Sequence, residues 1–133
     1  MKNYVIAYIA SGLSFLAADA VWLSLMTSRL YRPALPGILA ARVQLAPAIV
    51  FYALYVLGLV IFAVASGLTA GHWRAALWRG ALFGLFTYMT YDLTNQATLL
   101  VWPVRVTLAD MSWGALASAG AAAIGCAVAL ALR

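Results

Sequence analysis

Charge is what this sequence has least of: three acidic and eight basic side chains in 133 residues, 8% in all. Soluble domains carry about 25% charged residues, so an ordinary soluble fold is excluded. The single cysteine, Cys126, rules out an intramolecular disulfide and paired-thiol redox chemistry. It lies in an Ala-rich apolar run and reads as inert packing. No serine elbow and no glycine-rich phosphate loop occurs, which removes hydrolase and nucleotide-binding readings. The basic residues are scattered along the chain, so the net charge of +5 describes loop anchors rather than a nucleic-acid surface.

Apolar residues fill the space that charge leaves. They make up 67% of the chain, and mean hydropathy is +1.01. Four apolar segments stand out, at about 4–26, 46–66, 76–98 and 109–131. Each is close to the roughly 20 residues that a bilayer-spanning helix needs. Lys2, the first apolar run and Ala18-Asp19-Ala20 mimic a signal peptide, but the run continues through Trp22 and Leu25, so a retained helix is expected. Three connections carry the punctuation: Arg29 through Pro33, Pro36 and Gly37 to Arg42; Gly67 to Trp73; and Trp102-Pro103-Val104-Arg105. Nothing resembles a linker. The pattern predicts a single all-α domain over residues 1–133, an up-down bundle of four transmembrane helices.

That topology sorts the polar residues. Asp19 on the first helix and Asp92 on the third each lie roughly 6–7 Å from mid-helix, toward the side of the first and third connections. Tyr52 and Tyr55 fall in the same half of the second helix, and Asp110 opens the fourth. Arg29, Arg32, Arg42 and Arg105 rim that side as candidate headgroup contacts. His72 sits on the opposite side, so neither a His–Asp pair nor a metal site is expected. No cofactor is indicated. The basic residues divide four against four, with Lys2, Arg74, Arg79 and Arg133 at the other face, so the positive-inside rule gives no orientation.

On a helical wheel, Gly80, Gly84, Tyr88, Tyr91, Asp92 and Asn95 share one side of the third helix, and Leu82, Phe86, Met89 and Leu93 the other. Tyr8, Gly12, Phe15, Asp19 and Trp22 align on the first helix. Gly80-x-x-x-Gly84 lets a neighbouring helix approach closely. A carboxylate at membrane depth costs several kcal/mol unless it is neutral, paired or wet, so these acids face the bundle interior or an oligomer interface. Asn95 and Gln96, three and four residues after Asp92, are expected to bond it, with Tyr88 and Tyr91 as further donors. The result would be a polar layer with aromatic walls, open toward one membrane face. Asp19 with Trp22 reads either as a carboxylate beside an aromatic wall or as an interfacial tryptophan near a helix contact. Asp110 reads as a helix cap. Asp110-x-x-Trp113 repeats the spacing of Asp19-x-x-Trp22.

The segment GALFGLFTYMTYDLTNQATLLVWPVRVTLADMSWG, residues 80–114, is the most distinctive. With Asp19-Ala-Val-Trp22, Tyr31-Arg32, Phe51-Tyr52-x-x-Tyr55 and Asp110-x-x-Trp113-Gly114, it resembles a widespread family of small bacterial inner-membrane proteins. That family is catalogued as a predicted membrane protein of unknown function. The resemblance implies four helices in the inner membrane and carries over no reaction or ligand. Leu99-Leu100-Val101 is more apolar than the family pattern, which leaves Arg105 as the basic group of the third connection.

Three functions are consistent with these residues. The first is an intramembrane site that binds or modifies a lipid or other apolar small molecule, with Asp92 as the ion-pairing or proton-transfer group. The second is a small proton-coupled transporter working as a homo-oligomer. The third is an accessory protein packing through its glycine face.

Overall fold

The computed structural model describes residues 1–133 as four helices without a strand. Helix α1 is Lys2–Ala34, α2 is Leu45–Ala70, α3 is Trp73–Thr98 and α4 is Val104–Ala131. Three of them, α1, α2 and α4, are long and apolar enough to cross a membrane. Helix α3 is equally long, with 26 residues, but it carries the Asp92-Asn95-Gln96 group. Large apolar side chains cover the outside, among them Ile9, Leu13, Ile61, Phe62, Phe86 and Leu116. Such a continuous apolar surface suits lipid and would not persist on a soluble monomer. The fold is an all-α membrane bundle.

Helix α4 is the centre, packing along both α3 and α1. The seam with α3 is built from small residues. A Cβ added at Gly80 would lie 2.6 Å from the Ser118 carbonyl oxygen, and one at Gly84 would overlap the Gly114 carbonyl oxygen. The two backbones therefore touch with almost no side chain between them. The contacts step along α3 in fours while running backwards along α4. Gly80 meets Ser118 and Ala122, Tyr88 lies over Gly114, and Gln96 bonds Thr107. At 3.6 residues per turn, a four-residue step keeps one stripe of an antiparallel helix on its partner. Helix α2 lies against α1 and α3, closing a core of Phe15, Leu59, Val64, Ala122 and Cys126.

The helix ends differ from the sequence expectation in three places. Helix α1 does not stop near residue 26 but continues to Ala34 through a wider π turn at Thr27–Tyr31. Pro33 lacks an N–H, and its ring would press on the carbonyl four residues back. The wider turn just before it lets the helix pass. Helix α2 likewise runs through Gly67 to Ala70. Gly67 is a packing glycine, since a Cβ there would sit 2.6 Å from Cys126 Sγ and 2.8 Å from Ala76 Cβ. The turn falls instead at Gly71, whose φ of +74° favours glycine. His72 follows as the N-cap of α3, its ring accepting from the Ala75 amide at 3.4 Å. Finally, α4 begins at Val104, because Pro103 supplies a pre-set φ of −68° at the cap. Asp110 is therefore well inside α4 and caps nothing.

Candidate functional site

The extended α1 and the early start of α4 bring Tyr31 and Asp110 together at the end of the bundle that carries the first and third connections. The Tyr31 hydroxyl donates to Asp110 Oδ1 and accepts from Trp22 Nε1 at 2.9 Å. One turn deeper, Trp113 Nε1 donates to Asp19 Oδ1 at 3.1 Å, and the Tyr52 hydroxyl donates to Asp19 Oδ2. The two indoles stack, with centroids 4.7 Å apart and planes within 6°. The repeated Asp-x-x-Trp spacing now has a meaning. On antiparallel helices the two motifs meet reciprocally, with Trp113 serving the carboxylate of α1 and Trp22 serving that of α4 through Tyr31. The carboxylates are satisfied by hydroxyl and indole donors rather than by cations.

A cavity of about 420 Å³ opens on this cluster. Asp19, Trp22, Tyr31, Tyr88, Tyr91, Trp102, Asp110 and Trp113 form its aromatic and acidic walls. Leu23, Thr27, Arg32 and the non-helical residues Leu35, Leu39, Ala40, Ala41 and Val43 form the rest. A second cavity of about 370 Å³, between α2 and α3, shares Tyr88, Tyr91 and Asp110 with the first and adds Phe51, Tyr55 and Thr87. Tyr88, Tyr91 and Asp110 are thus the wall between the two spaces. Trp102 Nε1 is buried at the first cavity without an acceptor.

The other sequence candidates separate. Tyr52 serves Asp19, and Tyr55 bonds Ser118 at 2.7 Å and Thr87 at 3.2 Å, tying α2 to both neighbours. Asp92 is fully buried, and no N–H or hydroxyl donor reaches either of its carboxyl oxygens. The expected network with Asn95 and Gln96 is absent. Gln96 Oε1 accepts from Thr107 across the seam at 2.7 Å, and Asn95 stays half-buried beside Tyr91. The reason is angular. Gln96, one four-residue step further along the same stripe, is taken by Thr107 across the seam, while Asn95 is turned to its edge beside Tyr91. Of the arginine rim, only Arg32 reaches the cavity; Arg29, Arg42 and Arg105 are exposed away from it.

Tyr31, Trp102 and the residues 35–43 wall were not identified from the sequence. Tyr31 lies beyond the expected helix end near residue 26, and nine residues after Trp22 an ideal helical period would set it on the opposite side, so its place beside Asp110 depends on the wider turn at Thr27–Tyr31. Trp102 and the wall have no periodic signal.

The Gln96–Thr107 bond gives a limited prediction. Interhelical polar bonds in membranes average about 0.6 kcal/mol and reach about 1.7. Thr107→Val should lower unfolding stability in nanodiscs within that range. A loss well above 2 kcal/mol would mean that this pair, rather than the glycine seam, holds α3 to α4.

A family model described as "Predicted membrane protein (DUF2177)" matches residues 4–127. No curated protein and no solved structure matches the chain.

Proposed function

The chain belongs to the family of predicted membrane proteins that its residues 4–127 match, and from that premise we propose that it binds an amphipathic small molecule or lipid in the 420 Å³ cavity. It does so as a multi-pass protein of the bacterial inner membrane. One observation carries the reading: two buried carboxylates and a stacked tryptophan pair line a mainly apolar space at one end of a membrane bundle. Pockets of about 300–1,000 Å³ with apolar walls and a few fixed polar groups are the usual form of small-molecule sites. Leu23, Leu35, Leu39 and Val43 suit an apolar body. Asp110 as acceptor and the free Trp102 N–H as donor suit a polar group that both donates and accepts hydrogen bonds. Arg32 at the same wall suits an anionic substituent.

Mass spectrometry of small molecules copurifying with the protein in nanodiscs tests this. A species enriched with the wild type should fall at least tenfold in both Trp22→Ala and Asp110→Asn, which corresponds to about 1.4 kcal/mol of lost binding. The same lipid background in all three proteins would end the reading.

A further inference from the structure

Asp92 is the one acid whose chemistry is left unexplained by the cavity. It is 0% exposed, it lines neither of the two cavities that Asp110 walls, and both its oxygens lack a donor. A bare carboxylate in that position would be an uncompensated charge inside a membrane bundle, which proteins avoid by pairing or neutralising the group.

What faces it is another acid. Between the rung where Tyr88 lies over Gly114 and the rung where Gln96 bonds Thr107, the antiparallel seam sets Asp92 opposite Asp110. The two carboxyls are within hydrogen-bonding reach of each other. Asp110 Oδ1 is taken by the Tyr31 hydroxyl, which leaves its second oxygen for Asp92. The other titratable groups around Asp92 are Tyr31 from α1 and Tyr91 on its own helix. The α2 tyrosines are engaged elsewhere, Tyr52 with Asp19 and Tyr55 with Ser118 and Thr87. None of these is a cation. Two carboxylates bring acceptors only, so a hydrogen bond between them requires one proton.

We propose that Asp92 and Asp110 hold a single proton between them, making the α3–α4 seam a buried proton-binding site at the wall of both cavities. The proton sits on Asp92, whose O–H donates to Asp110. The negative charge rests on Asp110, which then has two donors, Asp92 and Tyr31. The inference does not depend on what the cavity binds.

Infrared spectroscopy on the full chain in nanodiscs tests it, because the chain has three aspartates and no glutamate. Aspartate labelled with carbon-13 separates its bands from lipid esters. The wild type at neutral pH should show one protonated-carboxyl band that shifts in heavy water. Asp92→Asn should abolish it, since the amide donates to Asp110 in place of the acid, and Asp19→Asn should leave it at full amplitude. Should Asp92→Asn fail to fold, Asp92→Glu, made without labelled glutamate, should remove the labelled band while keeping an acid in place. A wild type without the band, or a band lost in Asp19→Asn and kept in either Asp92 variant, overturns the proposal.

Discussion

Gly84→Ala is expected to cost the bundle about 3 kcal/mol or more, at the top of the overpacking range, while Gly120→Ala should be neutral or slightly stabilising. Both glycines lie in helix interiors and differ in what surrounds them. A Cβ at Gly84 would overlap the Gly114 carbonyl oxygen and lie 2.5 Å from Ser118 Oγ, whereas no heavy atom lies within 4 Å of one at Gly120. A side chain can rotate away from an added methyl, but a backbone carbonyl moves only with its helix. The seam must therefore open, and every rung beyond it loosens. Unfolding in nanodiscs of fixed lipid composition measures the pair. If Gly84→Ala unfolds like wild type, backbone contact is not what holds α3 to α4.

Asp19→Ala should be the most damaging substitution among the polar residues. Its carboxylate takes the Tyr52 hydroxyl from α2 and the Trp113 indole from α4, so one side chain on α1 ties three helices. Removing it orphans two partly buried donors at about 1–3 kcal/mol each, for a loss of about 2–6 kcal/mol. Asp19→Asn retains the shape and one acceptor oxygen, so it should lose about half as much. The same unfolding measurement compares them. A loss below about 1 kcal/mol for Asp19→Ala would mean that lipid or water replaces the carboxylate easily.

The four-helix membrane fold was readable from the sequence because length, apolarity and the scarcity of charge are all one-dimensional properties. The inward stripe of α3 was readable too, since a helical wheel needs only angles. What was misread depends on competition between local signals and packing. Pro33 looks like a terminator, and only the π turn before it shows that the chain carries on. Gly67 looks like a turn, but it is there so that Ala76 and Cys126 can come close. Asp110 reads as a helix start because the apolar run begins near it, although Pro103 sets the true start. The partnership of Asn95 and Gln96 with Asp92 failed for a similar reason. Spacing along one helix says which residues are neighbours, and the opposing helix decides where each side chain turns.

The glycine seam also decides which parts of the cavity wall are free to move. Two helices in backbone contact cannot slide or splay without breaking many close contacts together, so α3 and α4 behave as one stationary plate. Helix α1 is pinned to that plate by the paired Asp-x-x-Trp motifs. The remaining wall is held at Leu35, which packs on Ala34 and Val106, but its residues 36–43 are neither helical nor anchored by a side-chain hydrogen bond. A molecule entering or leaving the cavity would therefore pass beneath this strap, with the bundle itself as the fixed frame.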